Sequence, residues 1–186
     1  MVKDFPRKDV DFSWAEVPTR TWDPIASVKC GRIFFKDEKT YALGTDPSGL
    51  RFKEISRRMF SGHYYPPDAV RFDGKFMQEH RDLIVGDRVI QTAPLLGKLP
   101  GPSLTSVVEI YICEQSDDKS TIGYVTTSKH FASGMWTAEL TKTNGMLMLK
   151  VSGRVCPGPL FLIGLPYARF LQLRAWRRAV EVFQKL

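Results

Sequence analysis

The sequence predicts an α+β fold in which an antiparallel sheet is covered by one long C-terminal helix, and three observations carry that prediction. From Gly86 onward, runs rich in β-branched and aromatic residues alternate with short turn signals. Two of these runs flank Thr143-Asn144-Gly145, and Asn-Gly is the strongest short-range mark of a hairpin. The last segment changes period, with Tyr167, Phe170, Leu171, Ala175, Val180 and Phe183 forming an apolar stripe at helical spacing. Such a stripe has to be buried, and a sheet face is the available surface.

The elements follow in chain order. Pro6, Pro18 and Pro24 exclude a long N-terminal helix, while Phe5, Phe12, Trp14 and Trp22 among them favour a segment that docks. Residues 32–35 and 40–43 are two short strand candidates, separated by a polar turn at 36–39. Thr45-Asp46-Pro47-Ser48-Gly49 is a turn, and 50–60 is a short helix ended by Tyr64-Tyr65-Pro66-Pro67. The strands expected next are 87–92, 104–113, 120–127, 135–142 and 146–154. Pro159 and Pro166 then introduce the helix that runs to Phe183. This order places an N-terminal extension with short strands at 1–49 and the sheet-and-helix domain at 50–186.

With 43% apolar and 25% charged residues, the 186-residue chain has the balance of a soluble globular domain with a sizeable core. The net charge of +7 is concentrated from Lys150 onward, where seven basic residues, Arg174, Arg177 and Arg178 among them, accompany one acid, Glu181. The basic C-terminal helix either faces an anionic surface or partner, or is simply a solvated face. Nucleic acid is not an expected partner, since no zinc-finger spacing or other binding motif accompanies the charge.

Cys30, Cys113 and Cys156 form no CxxC and no paired metal motif, and read as buried, reduced thiols of a cytoplasmic protein. His63 and His80 show no ligand spacing with them, so neither metal nor cofactor is expected. The N-terminus lacks a continuous apolar run of the secretory kind. The most apolar segment, 155–168, is short for a membrane span and broken by Pro157, Pro159 and Pro166. A phosphate-binding glycine loop and a GxSxG elbow are both missing.

The stretch 123–136, GYVTTSKHFASGMW, concentrates the candidate chemistry. Its connector carries His130, the one histidine of the C-terminal half, which either serves a bound ligand or hydrogen-bonds a loop carbonyl. Strand alternation puts Tyr124 and Thr126 on one face, and Met135, Thr137, Glu139 and Thr141 on the face opposite Trp136, Ala138 and Leu140. Arg88, Tyr124, Thr126, His130 and Trp136 are the candidate ligand-binding residues, because they combine polar tips with ring or stem surface. The competing readings make Tyr124 and Trp136 core aromatics and Arg88 a surface strand residue. If the protein is an enzyme, His130 and Glu139 are the candidate proton-transfer pair, with Tyr124 donating to an oxyanion. Glu139 can equally be an exposed strand glutamate facing Lys150 or Arg154.

Val85-Gly86-Asp87-Arg88-Val89, Gly123-Tyr124, Thr126-Thr127, His130, Gly134, Pro157 and Arg169-Phe170-Leu171-Gln172 together carry a resemblance to the domain of unknown function family nineteen-ninety. It covers roughly residue 50 to the C-terminus. That family is grouped with the helix-grip (START-like) proteins, related to lipid-transfer and pollen-allergen folds. The resemblance implies a curved sheet wrapped on the C-terminal helix around an apolar cavity. It departs where many members carry an acidic pair after the glycine and this chain has Met135-Trp136. Two functions are expected from it: binding of an apolar small molecule or lipid between sheet and helix, or a cyclase, dehydratase or isomerase on the same scaffold.

Overall fold

The computed structural model describes residues 35–96, 101–130, 132–157 and 165–186. Seven strands form one antiparallel sheet: β1 (Phe35–Thr45), β2 (Arg71–Gly74), β3 (Arg88–Pro94), β4 (Ser103–Gln115), β5 (Lys119–Thr126), β6 (Ala132–Thr143) and β7 (Met146–Pro157). The helices are α1 (Leu50–Phe60), the single-turn α2 (Lys75–Gln78) and α3 (Leu165–Phe183). The strand order β1-β7-β6-β5-β4-β3-β2 is a meander from β2 to β7, with β1 returning beside the last strand.

The predicted hairpin joins β6 to β7, and Asn144 (φ 51°) and Gly145 (φ 74°) adopt the left-handed conformations that its tight turn requires. Bulges between Ile110 and Ile112 in β4, and between Ala42 and Gly44 in β1, bend the sheet. Gly134 lets β6 and β7 approach closely, since a Cβ there would stand 2.1 Å from the Arg154 carbonyl oxygen. Alternation then works as it should in a sheet covered on one face. Trp136, Ala138 and Leu140 of β6, with Leu147, Leu149 and Val151 of β7, enter the core.

α1 lies over β5 and β6, and α3 over β1 and β7, around one continuous core. Asp46, buried before α1, accepts the Phe52 amide at 2.8 Å and the Ser48 hydroxyl at 3.1 Å, doing for α1 what a capping side chain does. The Ser56 and Ser120 hydroxyls meet at 2.7 Å, a buried polar pair between α1 and β5. Arg51 donates to the carbonyls of Thr45, Leu43 and Phe183, so one guanidinium joins the end of β1, α1 and the last turn of α3.

Three expectations change. The polar run 36–39 is not a turn between two short strands. It is the middle of β1, paired residue for residue from Lys36↔Arg154 to Lys39↔Val151, and its charges belong to an exposed edge strand. The sheet thus includes residues on the N-terminal side of the boundary expected between 49 and 50. β2 and α2 were not anticipated, because four residues carry too little periodicity to register.

The third change concerns α3. Ala175, Val180 and Phe183 are buried as expected, but Tyr167 and Phe170 are 47% and 53% exposed. The inward ridge instead runs through Ala168, Gln172, Trp176, Ala179 and Phe183, and the Trp176 ring packs over Gly153. The expectations for the N-terminal aromatics, Cys30 and Pro159 fall outside the described residues.

Candidate functional site

Between the concave face of the sheet and the N-terminal half of α3 lies a cavity of about 160 Å³. Its floor comes from adjacent strands. Gln91 is on β3, Ser106 on β4, Tyr124 and Thr126 on β5, and Trp136 on β6. Arg169, Gln172 and Trp176 close it from the helix side. Most of the surface between these groups is apolar, including Val70, Leu104, Val155 and Leu171.

Tyr124 and Trp136 are cross-strand partners and stack with ring centroids 5.1 Å apart. The indole also meets Tyr64 edge-on at 4.9 Å and lies 5.9 Å from Tyr65. Tyr124 keeps some accessible surface where it lines the cavity. Protein atoms surround it closely enough, however, that burial pushes its hydroxyl up to about 12, against a smaller opposing effect of its hydrogen bond with Gln91. The phenol is therefore a neutral hydrogen-bonding group near neutral pH. Burial also drives the Tyr64 and Tyr65 hydroxyls well above the ordinary tyrosine value.

Thr126 and His130 organise the β5–β6 connection. Thr126 Oγ1 accepts the Gly134 amide at 3.0 Å, and the His130 amide donates to the Thr127 carbonyl at 3.1 Å. His130 Nδ1 lies 2.9 Å from the Ala132 carbonyl oxygen and 3.1 Å from the Ala132 amide. It donates to the carbonyl when protonated and accepts from the amide when not, so the tautomer selects between two backbone partners. The same residue lines the cavity.

Two candidates stand elsewhere. Arg88 pairs with its cross-strand partner Glu109 at 2.7 Å and is not among the lining residues. Glu139 sits on the face of β6 opposite Trp136 and pairs with Lys119 at 2.6 Å. Its cross-strand neighbour Lys150 turns instead to Glu38 of β1. Glu139 is not among the lining residues and His130 is, so the two candidates for proton transfer do not converge on the cavity.

The cavity also contains residues that hydrophobic patterning passed over. Gln91 and Ser106 are buried polar residues inside β-branched runs. Arg169 and Gln172 lie one turn apart on α3, on the side that continues to Ala175 and Trp176. The signal that finds them is helical phase rather than side-chain polarity. Arg169 donates to the Asp37 carboxylate of β1 and, at 2.8 Å, to Gln172 Oε1. Away from the cavity, the Cys113 thiol donates to the Leu83 carbonyl at 3.1 Å, and burial pushes its pKa up to about 11. Among the described residues no group of three or more His, Cys, Asp or Glu side chains is placed to hold a metal ion. No described helix is long and apolar enough to cross a membrane.

No family model and no curated protein matches the chain. Solved structures do. Ara h 8.0201 is 12% identical with a TM-score of 0.52, covering 83% of this chain and 100% of its own. Major latex-like protein 151 from Panax ginseng is 13% identical with a TM-score of 0.51, covering 81% and 97%. The di-domain ARO/CYC protein StfQ, from the steffimycin biosynthetic pathway, is 13% identical with a TM-score of 0.50, covering 82% of this chain and 49% of StfQ. At such identities the likeness establishes the fold, a curved antiparallel sheet with the C-terminal helix of helix-grip proteins.

Proposed function

We propose that this protein binds an apolar small molecule in the cavity between the sheet and the N-terminal half of α3, with Tyr124, Thr126, His130 and Trp136 among the residues that contact it. The observation that carries this reading is the cavity itself: a largely apolar space walled by the stacked Tyr124–Trp136 pair, with a few convergent polar groups. That combination is the usual form of a small-molecule site. The cyclase, dehydratase or isomerase reading loses its support, because Glu139 and His130 do not converge on the cavity. The likeness to an ARO/CYC protein carries a fold and not its chemistry.

The test uses 1-aminonaphthalene, a neutral fluorescent two-ring probe, together with Ala175→Leu, which adds bulk at a lining position on α3. The probe is expected to bind the unaltered protein, with affinity falling by about tenfold or more in the variant. Equal affinity in a variant that melts cooperatively would overturn the proposal. Native mass spectrometry of the purified protein provides the second readout, and a retained apolar molecule is the expected finding.

A further inference from the structure

The charges at the cavity wall point to a class of ligand, an inference that rests on the binding reading above. We propose that the cavity selects neutral aromatic molecules over anionic ones, and that Asp37 sets this discrimination by neutralising Arg169.

Arg169 is the one side chain with a permanent charge in the cavity lining formed by the described residues. Unpaired in a mostly apolar site, a guanidinium would attract carboxylates strongly and bind them through two parallel hydrogen bonds. Here two of its five N–H donors, one on each terminal nitrogen, are already committed, and its charge is paired with a carboxylate. One terminal nitrogen donates to Asp37 Oδ1 and the other to Gln172 Oε1. Asp37 comes from the opposite end of the fold in sequence. It reaches Arg169 because β1 pairs with β7 and places Asp37 opposite Gly153, the residue over which Trp176 and Gln172 pack. Its second oxygen, Oδ2, is buried and accepts no hydrogen bond. An incoming carboxylate therefore meets a cation already paired, with a fixed anion behind it.

The remaining lining fits a neutral ring. Tyr124 keeps its proton, and Gln91 and Ser106 are uncharged. Flat aromatic surface is supplied by Tyr124 and Trp136, with Tyr65 and Trp176 alongside. A cavity of about 160 Å³ is close to the roughly 150 Å³ apolar cavity known to hold benzene, so one or two fused rings are the expected size. A fatty carboxylate is disfavoured by charge and by length.

The test titrates the protein at about pH 8, where an ordinary imidazole is neutral, with 2-naphthol, 2-naphthoate and decanoate. The unaltered protein is expected to bind 2-naphthol about tenfold or more tightly than either anion. In Asp37→Asn, 2-naphthoate should gain about tenfold while 2-naphthol changes by less than about threefold. Asp37→Glu should retain the discrimination, and adding Arg169→Gln to Asp37→Asn should abolish the gain. A structural role for the ion pair would move the melting temperature without changing the ratio of the two naphthalene ligands. Anions binding as tightly as 2-naphthol, or an unchanged ratio in Asp37→Asn, would overturn the ligand class while leaving a binding cavity in place. If none of the three binds and Ala175→Leu does not affect 1-aminonaphthalene, the cavity reading fails and this inference fails with it.

Discussion

Trp176→Ala tests the orientation of α3, on which the whole site depends. Trp176 is 1% exposed, and its ring spans Gly153 and the inner wall of the cavity. A buried tryptophan removes about 150–250 Å² from water. At about 25 cal/mol per Å² that amounts to roughly 4–6 kcal/mol, and large-to-small core changes at aromatic positions cost about 3–5 kcal/mol in practice. With an m-value of about 2 kcal/mol per M, the urea midpoint should fall by about 2 M. Phe170→Ala is the control, because Phe170 is 53% exposed and its loss should cost less than about 0.5 kcal/mol. Circular dichroism at 222 nm during urea unfolding measures both. If Phe170→Ala lowers the midpoint as much as Trp176→Ala, the helix is turned the other way, and Arg169 and Gln172 do not face the cavity.

Two further outcomes follow from buried polar contacts. Ser56→Ala should cost about 1–3 kcal/mol by stranding the Ser120 hydroxyl, and Ser56→Ala with Ser120→Ala should cost less than the two single changes added together. Strict additivity in the same urea titration would mean that the hydroxyls are not coupled. Burial raises the Asp46 pKa, but the Phe52, Arg51 and Gly49 amides and the Ser48 hydroxyl together outweigh it and hold the carboxyl below its ordinary value. A depressed folded-state pKa contributes stability above about pH 4 that is lost as the pH falls toward the folded value. Asp46→Asn should therefore flatten the loss of stability between about pH 5 and pH 2, and an unchanged slope would exclude Asp46 as its source.

Most of the sheet was legible because its strands state their own pattern. The Asn144-Gly145 turn and the alternation of Trp136, Ala138 and Leu140 with Thr137, Glu139 and Thr141 specify both pairing and facing. β1 was less legible because an edge strand has one solvated side, and Lys36, Asp37, Glu38 and Lys39 look like a turn when read without β7 beside them. The stripe on α3 was displaced for a related reason. Tyr167 and Phe170 have the largest apolar surfaces near its start, yet the Tyr167 hydroxyl donates to the Leu95 carbonyl at 2.6 Å and its ring stacks on Phe170 outside the core.

The site divides along the same line. Tyr124, Thr126, His130 and Trp136 could be picked out together because β5, β6 and their connector are continuous in sequence, so local alternation predicts their shared side. Arg88 and Glu139 were equally plausible by residue type. Their fates were decided by Glu109 and Lys119, partners on neighbouring strands whose register no local pattern reveals. The Asp37–Arg169 pair is the extreme case, joining residues 132 positions apart through the return of β1 to β7 and the roll of α3 over Gly153. Hydrophobic periodicity places apolar walls well. The charge balance of a cavity is set where distant elements meet.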